Sequence, residues 1–524
     1  MRKRFFNVAG PCVPGDHYML DPFRGINDEL ADLIDQKHYF VIHAARQSGK
    51  TTLLKELARK INAEGEYYAL YCSLEATGMF TEPEKGIPEI VGKIESYLKN
   101  YGLPPGFAKD ANYGRIGDVL NLSFVEYCRS LDKPLVVFFD EADCLANGTL
   151  ISFLRQLREG YVNRPDAPFI HSVALVGMRN LGDYKTQIRA GAETLGGMSP
   201  FNIVKKCFSL RNFTKAEVVE LYAQHTTEAG QMFEPEMIDY TFEQTQGQPW
   251  LVNAVACECI EEIIKKDYSI PITKEFAEQA VQNISLSRRT HTTSMIERLK
   301  EPRVRKIVEP VILGSGDINE TTDDYQYTKD IGLIRDDRGI IEPANPIYAE
   351  LIIRVLIWYP QDSIYRAYRE YDIPRYLKDG KLDMSFLISD FQQYWRENSD
   401  IWVKRYQEDL YQYNEAAAHL VIQAFLQRVV NGGGYIIRKM ALGTGRCDLC
   451  VVYDGHKYPI ELKIKQNIRE QSKIYEQILK YMDSVGSDVG WFVIFDKDAE
   501  KCWDDKVYVK EEIVDGKRVV VAGC

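Results

Sequence analysis

The apolar and polar positions divide the chain into blocks of distinct periodicity. Tyr39-Phe40-Val41-Ile42 is a short apolar run that reads as a buried strand, and Leu53-Leu54-Lys55-Glu56-Leu57-Ala58 opens a helical pattern soon after it. Pro134-Leu135-Val136-Val137-Phe138-Phe139 is a second strand-like run and ends in acids, Asp140-Glu141. Phe169 to Val176 forms a third. From 212 to 290 the pattern is helical, and 295–358 reads as helix, helix, short hairpin, helix. Residues 360–410, rich in Tyr, Trp, Arg and Asp, read as a helical connector. A helix then runs from Glu415 to Val430 and stops at Asn431-Gly432-Gly433-Gly434, as glycines stop helices. Strands are expected at 435–438, 447–453, 457–464 and 490–495.

The loop between the first strand and helix carries the clearest chemistry. His43-Ala44-Ala45-Arg46-Gln47-Ser48-Gly49-Lys50-Thr51-Thr52 has the strand–loop–helix layout of a phosphate-binding P-loop. Loop amides from Arg46 to Thr52 and the helix N-terminus would cradle phosphate oxygens. Lys50 would reach the β- and γ-phosphates, and the Thr51 hydroxyl would hold Mg²⁺. Ala44 stands where that pattern has its first glycine. About 90 residues on, Asp140 is placed to join the Mg²⁺ shell and Glu141 to polarise an attacking water. Arg179 or Asn180, after the third strand, could sense the γ-phosphate. Asp140-Glu141-Ala142-Asp143 also spells a helicase signature, but no second ATPase lobe with its own motifs follows.

Composition changes this picture little. The 524 residues are 45% hydrophobic and 27% charged, with no apolar run near the roughly 20 residues a membrane helix needs. Met1-Arg2-Lys3-Arg4 lacks the apolar core of a signal peptide behind it, so a cytoplasmic protein with no membrane partner is expected. The 11 cysteines are scattered, which favours reduced thiols. Cys447 and Cys450 lie in an apparent strand and would face opposite ways, against a metal or redox pair. A net charge of −11 argues against a protein coated in nucleic-acid-binding charge but not against a local basic groove.

A second constellation lies near the carboxy terminus. Asp454-Gly455 is a two-residue hairpin turn, so Tyr453 should face His456 and Asp448 should lie opposite Glu461. Their Cβ atoms would be roughly 4.5–5.5 Å apart on one face, which Lys463 shares. Facing carboxylates repel unless a cation compensates, and Mg²⁺ commonly takes one or two carboxylates. Lys463 would orient water or stabilise charge on a phosphate oxygen.

Three resemblances follow from these residues. Gln246-Gly247-Gln248-Pro249-Trp250-Leu251 resembles the lid motif of STAND-type and archaeal switch ATPases of the AAA+ group, and His17 to Arg24 sits where those proteins carry an adenine-side box. Residues 295–358 are similar to a winged helix, in that group more often a relay than a DNA reader. The acids Asp323, Asp324 and Asp330 suit phosphate contact poorly. Residues 411–500 resemble the PD-(D/E)xK nuclease superfamily. That resemblance makes Glu415 the helix acid, Asp448 and Glu461 the metal ligands and Lys463 the catalytic lysine beside them, and adds Gln477 and Tyr481 of the exonuclease-like branch; Lys439 stands where relatives often carry an acid.

The expected fold is thus α/β. It comprises a P-loop AAA-like core (1–205), a helical lid (206–294), a winged-helix-like domain (295–360), a connector (361–410) and an α/β restriction-endonuclease-like domain (411–524). The expected ligands are ATP and Mg²⁺. The leading expectation is an ATPase switch controlling a Mg²⁺-dependent nuclease that acts on nucleic acid, DNA first. The alternatives are a regulatory ATPase with a silent nuclease-like domain that only binds, and a scaffold in which ATP drives homo-oligomerisation.

Overall fold

The structure, a computed structural model, describes residues 4–108, 114–178, 203–286, 290–313, 318–337, 339–353, 355–356, 373–378, 380–409, 414–430, 434–442, 445–465, 471–496, 498 and 501–524. The chain forms two compact units. One is Met1–Ser294 with Asn319–Ile347, the other Met295–Ile318 with Tyr348–Cys524.

The first unit is built on five strands: β1 (Tyr39–His43), β2 (Tyr68–Ser73), β3 (Leu135–Asp140), β4 (Ser172–Gly177) and β5 (Val204–Ser209). All pair in parallel in the order β2-β3-β4-β1-β5. Parallel strands need crossover connections, and the helices between them cover both faces. Side-chain alternation along β1 makes this visible. Tyr39 and Val41 enter the core under the Pro83–Asn100, Val119–Ser130 and Asn147–Val162 helices, while Phe40 and Ile42 enter the core under Asn27–Asp35 and Lys50–Glu64. This is a mixed α/β fold on a parallel sheet covered by helices on both faces, the layout expected for the P-loop core. Parallel pairing also gathers the carboxyl ends of the strands at one edge, where open α/β sheets place their ligands.

The segment after β5 is helical: Lys215–Ala229, Pro235–Thr245, Pro249–Cys257 and Lys274–Leu286. Thr214 and Glu217 form a capping box that starts the first of these. Gly247 sits between the second and third at φ 69°, and a Cβ there would lie 1.9 Å from the Phe213 carbonyl oxygen, so no side chain fits. In the same unit, the Asp323–Asp330 helix leads into a hairpin of β6 (Ile334–Asp337) and β7 (Ile340–Pro343).

The second unit contains a small hairpin, β8 (Leu377–Lys378) with β9 (Lys381–Leu382), and a six-stranded sheet. The sheet comprises β10 (Gly434–Leu442), β11 (Gly445–Tyr453), β12 (His456–Ile464), β13 (Val489–Phe495), β14 (Tyr508–Val514) and β15 (Lys517–Gly523) in the order β10-β11-β12-β13-β15-β14. β10 to β12 are antiparallel neighbours, and β12 runs parallel to β13 through the Gln471–Val485 helix. Ile478 and Met482 of that helix pack on Phe492, Ile494, Val519 and Val521. Residues 295–360 are divided between the two units.

Candidate functional site

The first site begins where β1 ends. Gln47 and Gly49 take left-handed backbone conformations (φ 59° and 95°), which turn the loop sharply into the Lys50–Glu64 helix. The φ of 95° favours glycine at position 49, and a Cβ there would also lie 2.8 Å from Nη2 of Arg24, which would have to shift. Lys50 is buried, and its Nζ donates to the carbonyls of Ala44 (2.8 Å) and Ala45 (3.0 Å). Burial pulls its pKa down, opposed by the nearby Glu141, Asp140 and Asp143.

Strand β4 lies between β1 and β3, yet Asp140 at the end of β3 reaches the loop. Its Oδ2 accepts from the Thr51 hydroxyl at 2.7 Å and from the Tyr71 hydroxyl at 3.0 Å, and only 1% of Asp140 is exposed. Glu141 follows with φ 54°. Burial pushes its carboxyl up to about 7, with Lys50 opposing and Asp140 and Asp143 reinforcing. Asp143 Oδ2 accepts from the Met178 amide at 3.0 Å, and a Cβ on Gly177 would lie 2.4 Å from Asp143 Oδ1. That close approach ties β4 to the acidic turn.

Other segments of the same unit complete the site. Arg24 Nη2 donates to the Ser48 carbonyl at 2.6 Å, and its guanidinium lies 4.8 Å over the Phe213 ring. Gln248 Nε2 donates to the Gln47 carbonyl at 3.4 Å. The Cys12 amide donates to Thr52 Oγ1 at 3.1 Å, and Trp250 Nε1 to the Val8 carbonyl at 2.9 Å. These elements enclose a cavity of about 260 Å³. Arg46, Gln47, Gly49, Lys50, Thr51, Thr52 and Glu141 line it together with Tyr18 to Pro22, Pro249, Trp250 and Asn253. Arg46 is exposed and Ser48 buried. The Gln47 Oε1 and Ser48 Oγ atoms are buried without a hydrogen-bond partner. Arg179 and Asn180 lie outside the described residues.

Two contributions to this site were not foreseen in the sequence, although the second segment was assigned to the winged-helix-like region. Tyr71 lies on β2, whose run Tyr68-Ala69-Leu70-Tyr71-Cys72 was a legible strand signal, but its bond to Asp140 depends on β2 pairing with β3. Asp330-Ile331-Gly332 packs against the P-loop. A Cβ on Gly332 would lie 2.4 Å from the Ala45 Cβ, and Asp330 raises the pKa of His43, which burial lowers.

In the second unit the hairpin has the register its turn dictates. Asp454 and Gly455 both have positive φ (46° and 74°), Tyr453 faces His456 and Leu449 faces Ile460. Asp448 Oδ2 accepts from the Leu462 amide at 3.0 Å. Lys463 Nζ lies 2.6 Å from Glu461 Oε1 and 3.7 Å from Asp448 Oδ2. Glu461 is 1% exposed, and its Oε2 has no partner. Burial, with Asp448 next, pushes its carboxyl up to about 7 against Lys463. Burial disfavours the Lys463 ammonium, but the two carboxylates outweigh it and its pKa is raised. Tyr481 is fully buried. The side chains of Glu415, Gln477, Lys439 and Cys447 lie outside the described residues, while Cys450 is buried and free. Among the described residues, no three His, Cys, Asp or Glu side chains are grouped to hold a metal ion. None of the described helices is long and apolar enough to cross a membrane.

Residues 384–499 match the model of a domain of unknown function, DUF8371. No curated protein matches the chain by sequence. Among solved structures it is similar to a Walker-type ATPase of Pyrococcus abyssi, at 14% identity and TM-score 0.48, over 66% of this chain and 99% of that one. It is also similar to the RuvB Holliday junction branch migration motor of Thermotoga maritima (12% identity, TM-score 0.34, 63% and 93%). A third is Cdc6p from Pyrobaculum aerophilum (15% identity, TM-score 0.37, 66% and 97%). The P-loop fold itself rests on the strand order and loop geometry.

Proposed function

We propose that this protein is an ATP-binding and ATP-hydrolysing switch that controls a Mg²⁺-dependent, nuclease-like site in its carboxy-terminal unit. The observation that carries the reading is that Lys50, Thr51 and Glu141 line one cavity, with Asp140 buried behind it and bonded to the Thr51 hydroxyl. The donor set fits a Mg-nucleotide. Lys50 exchanges two neutral loop carbonyls for phosphate oxygens, a stronger charge-assisted pairing. Thr51 and Asp140, already bonded to each other, offer a hydroxyl and a carboxylate to one cation. The buried Ser48 hydroxyl has no partner in the loop and, as a donor, would suit a phosphate oxygen. Mg²⁺ would supply positive charge to the phosphate oxygens. Glu141, when ionised, accepts a proton from the attacking water. Arg24 and Gln248 hold the loop carbonyls of Ser48 and Gln47 and so set the loop's shape.

The contact of Gly332 with Ala45 supports the switch. Asn319–Ile347 belongs to the ATPase unit, yet the chain continues from both its ends into residues of the other. A loop that reshapes around phosphate therefore acts on a segment covalently tied to the second unit. There, Asp448 and Glu461 would share Mg²⁺ and Lys463 would stabilise charge on a phosphodiester oxygen, as the superfamily resemblance implies. The partner is nucleic acid.

One observation favours a regulatory ATPase with a catalytically silent end domain. Lys463 already neutralises the pair that a cation would neutralise. Nuclease activity of wild type against Asp448→Ala on plasmid, linear and single-stranded DNA, with and without ATP and Mg²⁺, separates the two readings. Absence of cleavage in every condition by folded wild type favours the silent domain. ATP turnover that survives Lys50→Ala would overturn the ATPase assignment itself. Light scattering with and without ATP tests homo-oligomerisation.

A further inference from the structure

The P-loop residues that line the cavity supply an evident set of donors for phosphate. Among the other elements at the cavity, the polar groups are mostly satisfied within the protein. Asn7 Oδ1 accepts from the Ala9 amide at 3.1 Å, and its Nδ2 donates to the Gly10 carbonyl at 3.1 Å. Gln224 brackets Met19, accepting from its amide (3.4 Å) and donating to its carbonyl (2.9 Å). Tyr18 directs its hydroxyl to His225 Nδ1 at 3.3 Å. Asn253 differs from these. It lies one helical turn after Pro249 on the Pro249–Cys257 helix, is 7% exposed and lines the cavity. Its Nδ2 donates to the Pro249 carbonyl at 3.1 Å, which fixes the amide's orientation. Its Oδ1 is buried with no partner. A buried acceptor without a donor is costly, so the site is built for a ligand that brings one.

We propose that Asn253 is the base-selecting residue, with Oδ1 accepting a hydrogen bond from the exocyclic 6-amino group of adenine. This rests on the nucleotide reading of the P-loop. The chemistry discriminates in one direction. A 6-amino purine presents a donor to Oδ1, whereas a 6-oxo purine presents an acceptor and leaves two lone pairs facing each other. Sites that hydrogen-bond one substrate group reject analogues lacking it far better than apolar pockets do. Neighbouring Trp250 has its Nε1 committed to Val8 and offers the base an apolar wall.

The test uses the full chain with Mg²⁺ and three ligands: ATP, purine riboside triphosphate (hydrogen at position 6) and inosine triphosphate (oxo at position 6). Wild type should bind ATP at least about tenfold more tightly than either analogue. In Asn253→Ala the three affinities should converge to within about threefold, chiefly through loss of ATP affinity. The wild-type series needs no substitution, so the proposal stays testable if the variant folds poorly. Equal binding of all three ligands by wild type overturns the assignment of Asn253 and leaves the P-loop reading standing. So does an ATP preference retained in Asn253→Ala. If folded wild type binds no triphosphate, both readings fall.

Discussion

The Thr51 hydroxyl and the Asp140 carboxylate, 89 residues apart, meet at 2.7 Å across an intervening strand. The same Asp140 oxygen also takes the Tyr71 hydroxyl, and burial with Asp140 beside it keeps that phenol protonated and a donor. A carboxylate so deeply buried depends on both bonds. Tyr71→Phe should lower unfolding free energy by about 1–2 kcal/mol, read by denaturant titration. A variant as stable as wild type would mean that Asp140 finds another donor at no cost.

Glu141 accepts a proton only when ionised, and burial raises its carboxyl to about 7. The active form is therefore present above that pH and lost below it. kcat/KM for ATP should fall about tenfold per unit as pH drops through 7 toward 5, since this parameter reports the free enzyme. Glu141→Gln should bind ATP, turn over poorly and show no such inflection. A wild-type profile flat from pH 5 to 8 would remove Glu141 from the base role.

In the second unit, Glu461 is also raised to about 7, above the ordinary 4.5. The folded chain then binds a proton that the unfolded chain releases earlier. Stability from this group is full below about pH 4.5 and is lost as pH rises through about 7. Glu461→Gln carries no charge and should exceed wild type in stability at pH 8 by on the order of 2 kcal/mol. Thermal melts at pH 5 and pH 8 check this, and the difference should shrink at the lower value. A variant less stable than wild type at pH 8 would contradict it.

Gly332 and Gly339 separate backbone strain from contact. Both have left-handed backbones, at φ 79° and 84°. A Cβ at Gly332 meets Ala45 of the P-loop, while one at Gly339 meets nothing within 4 Å. Each alanine substitution should cost about 1 kcal/mol in strain, and Gly332→Ala should add about 1–3 kcal/mol of overpacking. Only Gly332→Ala should also weaken ATP binding, by several-fold in a titration. Equal effects of the two would mean that the contact with Ala45 does not reach the nucleotide.

Much of the local geometry of both candidate sites was legible because the deciding information is local. The turn into the Lys50–Glu64 helix is written in Gly49-Lys50-Thr51, and Asp454-Gly455 sets the register that puts Asp448 near Glu461 and Lys463. Turn chemistry and strand periodicity act within a few residues, so a linear reading captures them. Tertiary structure decided what those residues meet. Strands buried on both faces, such as Leu135–Asp140 with every residue buried, carry no mark of which strand lies beside them. The order β2-β3-β4-β1-β5 alone brings Tyr71 to Asp140. Likewise Arg24 on Ser48, Gln248 on Gln47 and Gly332 on Ala45 join segments far apart in sequence. Such contacts follow from which apolar faces are buried together, a property of the assembled core rather than of any one segment. The residue types that can handle a phosphate were thus written in the sequence; the cavity, the shifted carboxyl groups and the open acceptor of Asn253 arise only when the chain closes around them.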